Sequence, residues 1–472
     1  MYKNHIYFKL GEILNNNKIK YFVFKGSYKL DEPYSGKGDL DIFVMPCDTS
    51  EFIRLAKSIG FVYLENVSIF KENYTRDLFY FDIESTKKYH LHLHTQINFG
   101  NKITSNINYN IENLLLKKKH FDTDFNLFIL PPELDLILIG ARKKYQKGKN
   151  WLKKKEFKKV LNKIIIKYKK NNTDILYLKE YFSNSIFESV FKILNEENLE
   201  EKFKFNTFKY RKIPNFIFLA RFFHKVFKKF FGLSFVGTRR IPYAGKSIVL
   251  VGIDGSGKSS SMDLLNAFFS RFMDVEKVTL GSGQSGASWI RRIIFFIFGT
   301  KAFLKGHKGT RNFENKNKNK KISFLYAIWV LLCLLDKHKN LKKLHLSLLQ
   351  GKLVLVDRWI QDIDLNFADA PRLNLYTKQK GFVGFVARYE KEIFKKASLI
   401  IPSEIIILDI TAENSLIRKP DDLTLEQAKN SSKKMINFNW SEISNTSVLN
   451  ANLSQDEVLK SLISIIFKSL KV

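Results

Sequence analysis

The sequence predicts an α/β protein, and three observations carry the prediction. Ser247 to Val251 form a short apolar run of the kind found in buried parallel strands. Gly252, Gly255 and Gly257 follow in a tight turn, and Ser260 to Phe269 resume with Met262, Leu264, Leu265 and Phe268 at helical spacing. Far upstream, Tyr21–Phe24 and Gly38–Val44 read as two strands joined by a polar turn through Pro33 and Gly36. The expected architecture is a C-terminal parallel sheet with helices on both faces (241–472), a small N-terminal α/β domain (1–120) and a helical, basic middle region (121–240).

The bulk properties bound the rest. A chain of 472 residues has room for two to four domains, and 45% hydrophobic residues fits a folded soluble protein. Two cysteines, Cys47 and Cys333, are too few and too far apart for a disulfide framework or a zinc ribbon, which fits a reducing, cytoplasmic setting. Met1 to Leu10 hold no long apolar core, so no signal peptide is expected. The apolar run Ile322 to Leu335 is too short for a membrane span and reads as a buried helix. A net charge of +33 would attract nucleic acid, anionic lipid or a polyanionic sugar. Lys and Asn are abundant throughout, however, as in the tract Asn315 to Lys321, and solvated surface lysine accounts for most of that charge.

Along the chain, a helix over Tyr7 to Leu14 precedes the strand Tyr21–Phe24. Gly26-Ser27 then opens a turn whose N–H and hydroxyl groups could hold a triphosphate. Asp39 and Asp41 alternate along the next strand and share one face. Two carboxylates on one face repel unless a cation sits between them, so the pair is a candidate Mg²⁺ site. The strand Tyr89 to Gln96 places His90, His92 and His94 on one face. They would either bind a transition metal or form a polar strand face lining a cleft, the plainer reading. The order Gly26-Ser27, a gap, Asp39-Leu-Asp41 resembles the nucleotidyltransferase superfamily over about a quarter of the chain. That resemblance implies a metal pair clamping a nucleoside triphosphate, with a third carboxylate on a neighbouring strand. Here His92-Leu-His94 stands where relatives read D-L-H. The third acid is therefore missing or elsewhere, for instance at Asp82 or Glu84.

The middle region turns helical at Pro131-Pro132-Glu133, with Leu134, Ile137, Leu138 and Ala141 in helical register. Arg142 to Lys170 interleaves lysines with Trp151, Leu152, Phe157, Val160, Leu161 and Ile164 to Ile166, an amphipathic helix with a solvated cationic face. Phe216 to Phe231 reads as an aromatic-rich helix, and Gly237 to Gly245 with Pro242 punctuates the boundary.

The third region carries the most specific signal. Gly252-Ile-Asp254-Gly255-Ser256-Gly257-Lys258-Ser259 has the spacing G-x-x-x-x-G-K-S of the phosphate-binding P-loop, or Walker A motif. Its amides and the following helix N-terminus can cradle phosphate oxygens, lined by Ser256 and Ser260. Lys258 would reach the terminal phosphates of ATP and Ser259 would hold Mg²⁺. Val275 to Leu280 reads as a second strand. It leads to a glycine-serine loop, Gly281 to Gly286, and to Arg291-Arg292. A basic insert at 305–321 and two helical segments precede the strand Lys352 to Val356, which ends in Asp357-Arg358. Ile405 to Asp409 is a further strand, followed by a short helix to Arg418-Lys419 and a lid through Pro420-Asp421-Asp422.

The P-loop, Asp357-Arg358-Trp359 and Ile405 to Asp409 together resemble the thymidylate kinase family over about half the chain. The resemblance implies that Asp357 helps organise Mg²⁺, that Arg358 touches phosphate near the reaction centre, that Arg418 belongs to a lid over ATP, and that the protein is a homodimer. The chain departs from that family at Val251, where relatives carry Glu, and at Ser260, where they carry Thr. No residue aligns with the thymine-stacking phenylalanine, so the resemblance does not fix the acceptor. Asp254, inside the loop, would contact a catalytic cation or the acceptor. The expected function is ATP- and Mg²⁺-dependent phosphoryl transfer to a nucleoside monophosphate or related phosphorylated acceptor. The alternatives are a nucleotide-binding regulatory protein without turnover, and a nucleotidyltransferase modifying a nucleic acid or other polymer.

Overall fold

A computed structural model describes residues 2–66, 75–85, 87–99, 107–108, 111–145, 154–171, 174–196, 239–281, 322–364, 369–420 and 424–471. The chain is mixed α/β and divides into two compact units, Met1–Thr238 and Arg239–Leu470.

The first unit is built on strands β1 (Tyr21–Lys25), β2 (Asp39–Val44), β3 (Val62–Asn66), β4 (Thr75–Asp82) and β5 (Lys87–His94). A short pair follows, β6 (Asn98–Phe99) and β7 (Ile107–Asn108), then β8 (His120–Asp122) and β9 (Leu127–Ile129). The sheet runs β3-β4-β5-β2-β1-β9-β8. Strand β2 pairs antiparallel with β1 and parallel with β5, with Asp39 opposite His90, Asp41 opposite His92 and Phe43 opposite His94.

Alternation along the strands explains how both faces are covered. Tyr21, Val23, Leu40, Ile42 and Val44 pack with Leu10 and Leu14 of the helix Ile6–Asn16 and with Phe52 and Leu55 of the helix Thr49–Ser58. On the opposite face, Phe22, Phe24 and Phe43 share a core with Leu134 and Ile137, Leu161 and Ile164, and Ile186 and Val190. Those residues lie on the helices Pro132–Tyr145, Lys154–Asn171 and Asn184–Leu194. The middle-region helices and the first strands therefore share one hydrophobic core, and a boundary at 120 would cut through it. The helix Lys154–Asn171 buries Leu161, Ile164 and Ile165 while Lys158 and Lys159 stay exposed, as its amphipathic pattern predicts. The side chains of Trp151, Leu152 and Phe157 and the expected helix Phe216 to Phe231 lie outside the described residues.

The second unit opens with a two-residue strand, β10 (Arg239–Arg240). Its sheet contains β11 (Lys246–Val251), β12 (Val275–Thr279), β13 (Leu353–Asp357), β14 (Glu404–Asp409) and β15 (Thr446–Asn450), in the order β12-β13-β11-β14-β15. Every pairing is parallel. Strand β13 is wholly buried and β11 nearly so, as parallel strands covered by crossover helices require. The helix Lys258–Phe269 meets the helix Gln455–Lys471 through Phe269 and Phe467, ring centroids 5.6 Å apart. The helix Phe324–Leu349 meets the helix Gly381–Ser398 through a 2.7 Å His338–Tyr389 hydrogen bond.

One continuous helix, Phe324–Leu349, replaces the two segments expected after the insert. Nothing breaks it: the polar stretch Asp336 to Asn340 holds no Gly or Pro, and Leu341 and Leu344 continue the buried stripe. It absorbs the apolar run Ile322 to Leu335. Among the described residues, no helix is long and apolar enough to cross a membrane. Cys47 is exposed and Cys333 is buried.

Candidate functional site

In the second unit, the chain leaves β11 for the distant β12 but leaves β13 for β14, on the other side of β11. The carboxyl ends of these neighbouring strands mark where the topology switches, the position at which open α/β sheets bind ligands. The loop Gly252–Gly257 follows β11 at that end. Gly255 and Gly257 adopt φ of +83° and +88°, conformations that favour glycine. Gly252 answers a steric demand, since a Cβ there would lie 2.6 Å from Ser256 Oγ and 2.9 Å from the Leu408 carbonyl.

Lys258, the first residue of the helix Lys258–Phe269, is buried and donates from Nζ to the carbonyls of Gly252 (2.9 Å) and Ile253 (2.8 Å), with Ser256 Oγ at 3.4 Å. Its ammonium therefore closes the loop on itself. Burial lowers its pKa to about 8, nearby Arg358 adds to this, and Asp254 and Asp357 oppose it. Ser259 and Ser260 are exposed on the first helical turn, beside the loop amides.

At the end of β13, Asp357 and Arg358 face the loop. Arg358 Nη2 donates to Asp254 Oδ1 at 2.6 Å, and Nη1 lies 3.7 Å from Asp369 Oδ2. Arg358 sits at φ +66°, a strained conformation for a side chain of this size. Gly281 makes room for it, since a Cβ there would fall 2.7 Å from Arg358 Cδ. Burial pushes the Asp254 carboxyl up, but Arg358 and Lys258 outweigh it and hold the group below the usual range. Asp357 goes the other way: burial raises it despite Lys258 and Arg358. Its Oδ1 is buried without a hydrogen-bond partner among the described residues. The bare oxygen of Asp357 and the exposed Ser259 hydroxyl are oxygen donors of the kind that Mg²⁺ and its water shell take.

A third element closes on the loop. Ser415 Oγ, on the helix Ala412–Arg418, donates to the Asp254 carbonyl at 2.6 Å. A Cβ on Gly255 would lie 2.6 Å from the Ser415 carbonyl, so that glycine permits the helix to dock. Arg418 Nη1 comes within 3.9 Å of the Cβ position at Gly257. Lys258, Asp254, Asp357, Arg358 and Arg418 are thus gathered around one loop. Sequence reasoning missed Ser415 and Asp369. Neither sits in a motif, and only the fold brings them to Asp254 and Arg358. The segment Ser282 to Gly286, Arg291-Arg292, the insert 305–321 and Asp421-Asp422 of the expected lid lie outside the described residues.

In the first unit, the carboxylates and imidazoles of β2 and β5 sort into two groups. His90 bridges two acids, with Nδ1 2.8 Å from Asp39 Oδ1 and Nε2 2.7 Å from Asp77 Oδ1, and its ring stacks on Phe79. A carboxylate on each nitrogen favours the ring that carries both protons. Burial lowers its pKa, but the two carboxylates outweigh that and raise it overall. Asp41 Oδ1 is approached by Lys25 Nζ at 3.1 Å, His92 Nδ1 at 3.2 Å and His94 Nε2 at 2.7 Å. Burial opposes its ionisation, yet Lys25 and the imidazoles hold the carboxyl well below its ordinary value.

The third carboxylate near this face is Asp77 on β4, one strand beyond the histidines and opposite His92. Asp82 is at the far end of β4 opposite Lys87, accepting from Ser85, and Glu84 lies in the turn. The Ser27 hydroxyl is turned inward, 3.3 Å from Asp135 Oδ1 and 3.4 Å from the Val23 carbonyl. Gly26, at φ +85°, forms the turn. This donor set fits Mg²⁺ poorly. Each member of the Asp39/Asp41 pair is already engaged by imidazole, and Mg²⁺ takes oxygen ligands.

No family model matches the chain. A stretch of 201 residues, 42% of this chain, is 26% identical to the uncharacterized ATP-binding protein YghR of Escherichia coli strain K12 and covers 78% of that protein; the protein of the same name in Escherichia coli O6:H1 matches equally.

Proposed function

We propose that the second unit binds ATP with Mg²⁺ and transfers its terminal phosphoryl group to a nucleoside monophosphate or a related phosphorylated acceptor, in a reducing, cytoplasmic compartment. One observation carries the reading: the P-loop, the Asp357-Arg358 pair and the Arg418 helix meet at the carboxyl ends of adjacent parallel strands. The relative's description as ATP-binding supports the same nucleotide.

The acceptor's nucleophile is a phosphate oxygen, whose second pKa of about 6 leaves it anionic at neutral pH, so no base is required. What the site must provide is fixed positive charge around the transferring group. The loop amides hold the polyphosphate, and Lys258 exchanges its carbonyl partners for phosphate oxygens. Arg358, already oriented by Asp254 and Asp369, faces the reacting phosphates from the acceptor side. Arg418 covers the loop from the helix above it. Ser259 and Asp357 would hold Mg²⁺, which offsets charge on the outer phosphates. Because Lys258 and Arg358 are held by folded partners before ligand arrives, little reorganisation is needed at the moment of transfer.

Radiolabelled ATP offered with a panel of monophosphates tests the reading. Acceptor-dependent ADP formation that disappears in Lys258→Ala is expected. Tight ATP binding with no acceptor-stimulated turnover would instead support a regulatory nucleotide switch. Absence of Mg²⁺-assisted ATP or GTP binding would end both.

A further inference from the structure

We propose that Asp41, His92 and His94 of the first unit form a binding site for a divalent transition cation of the zinc class, at the position where the Lys25 ammonium now sits. The three residues present one ligand atom each, all within 4.8 Å of one another. Two of the separations are already short: 2.7 Å from His94 Nε2 and 3.2 Å from His92 Nδ1 to the same carboxylate oxygen. Ligands about 2 Å from a tetrahedral ion stand roughly 3.3 Å apart, so small rotations would bring this set onto one ion. Two imidazoles and one carboxylate, with remaining positions open, form the donor set of many zinc and non-haem iron sites. Mg²⁺ would not select it.

The backbone builds the arrangement without strain. His92 and His94 are two residues apart on β5 and so share a face, and parallel pairing sets Asp41 directly opposite His92. His90, which sequence alone groups with the other two, is excluded because both its nitrogens are committed to Asp39 and Asp77.

Lys25 supplies the second observation. Its Nζ lies 3.1 Å from Asp41 Oδ1 and 3.3 Å from His94 Nε2. A cation therefore already occupies the focus of the cluster, tethered to the end of β1. The side chain is about a fifth exposed. A metal ion and this ammonium cannot share the position, so Lys25 acts as an internal competitor that the ion must displace. The site is independent of the phosphotransferase reading of the second unit.

The test uses the full chain, stripped with a chelator and titrated with Zn²⁺ by calorimetry and with Co²⁺ by its visible d–d absorption, with Mg²⁺ in parallel. Saturable Zn²⁺ and Co²⁺ binding with no matching Mg²⁺ response is expected. His92→Ala, at a partly exposed position that removal leaves open to water, should weaken Zn²⁺ about a hundredfold or more. Lys25→Met, which removes the competitor, should tighten it about tenfold or more. Circular dichroism confirms that each variant is folded. Three outcomes would overturn the proposal: Zn²⁺ binding unchanged in His92→Ala, Mg²⁺ bound as tightly as Zn²⁺, or no gain in Lys25→Met.

Discussion

Both units place charged side chains at the edges of parallel strand pairs, but they leave those charges in opposite conditions. In the first unit the charges satisfy one another: His90 holds two carboxylates, and Asp41 receives Lys25 and two imidazoles. In the second unit the pairing is incomplete. Asp357 keeps a buried oxygen bare, Ser259 is exposed, and Lys258 rests on backbone carbonyls that a phosphate would displace. A network closed on itself stabilises a fold, whereas one held rigid but unfinished is prepared for a ligand. The difference supports the proposed polyphosphate site in the second unit, and it leaves the two alternating carboxylates of the first already engaged by imidazole and ammonium.

The sharpest way to break that comparison is Lys258→Ala. Removing the ammonium that closes the loop should lower phosphoryl transfer about a thousandfold, measured as ADP release with the best acceptor. Hydrogen exchange in β4 and β5 should not change. The first unit predicts the converse. His90→Ala removes the imidazole that bridges Asp39 and the buried Asp77, which should cost about 3 kcal/mol. Loss of exchange protection in β4 and β5 would report it, with ATP affinity unaltered. Equal loss of ATP binding in both variants would mean that the two networks are not separable. A smaller effect is expected from Asp357→Asn, which keeps the shape but halves the acceptor capacity of the bare oxygen's group. It should reduce the Mg²⁺-dependent part of ATP affinity about tenfold while leaving Mg²⁺-free binding alone.

The second unit was largely legible in the sequence because its signals are local. The turn Gly252–Gly257, the apolar runs on either side of it and the acid-base pair after β13 each occupy a few consecutive residues, and each constrains the backbone directly. The first unit was legible in its strands but not in its chemistry. Period-two alternation placed Asp39 with Asp41 and His90 with His94 on shared faces. It could not give the parallel pairing of β2 with β5, which sets those faces against each other, nor Asp77, an acid of β4 that sits in no motif. The middle helices Pro132–Tyr145 and Lys154–Asn171 were recognised as helices, but Asn184–Leu194 was not singled out. That all three share a core with Phe22, Phe24 and Phe43 depends on contacts between residues far apart in the sequence, which no local pattern records.

pH separates the two networks by sign, with the smallest effects. The Lys258 pKa of about 8 lies below the ordinary lysine value, and polyphosphate binding would raise it again. The charge is complete below pH 8, so ATP affinity should be flat there. Above pH 8 it should fall, by up to about tenfold per unit. Stability of the unliganded second unit should move the other way over the same window. There the folded state gives up a proton that the unfolded chain still holds, and the burial penalty of the charge disappears. His90 in the first unit is raised above its ordinary value of 6.5. Its contribution is fully present below 6.5 and is lost as pH climbs through the folded-state value, so the stability gap between wild type and His90→Gln should narrow with rising pH. His94 is lowered to about 3 by burial, with Lys25 and His92 adding to it, and it acts in the acid range instead. Comparison with His90→Gln removes that background. A gap that widens with pH would place the bridging proton on the carboxylates rather than the imidazole.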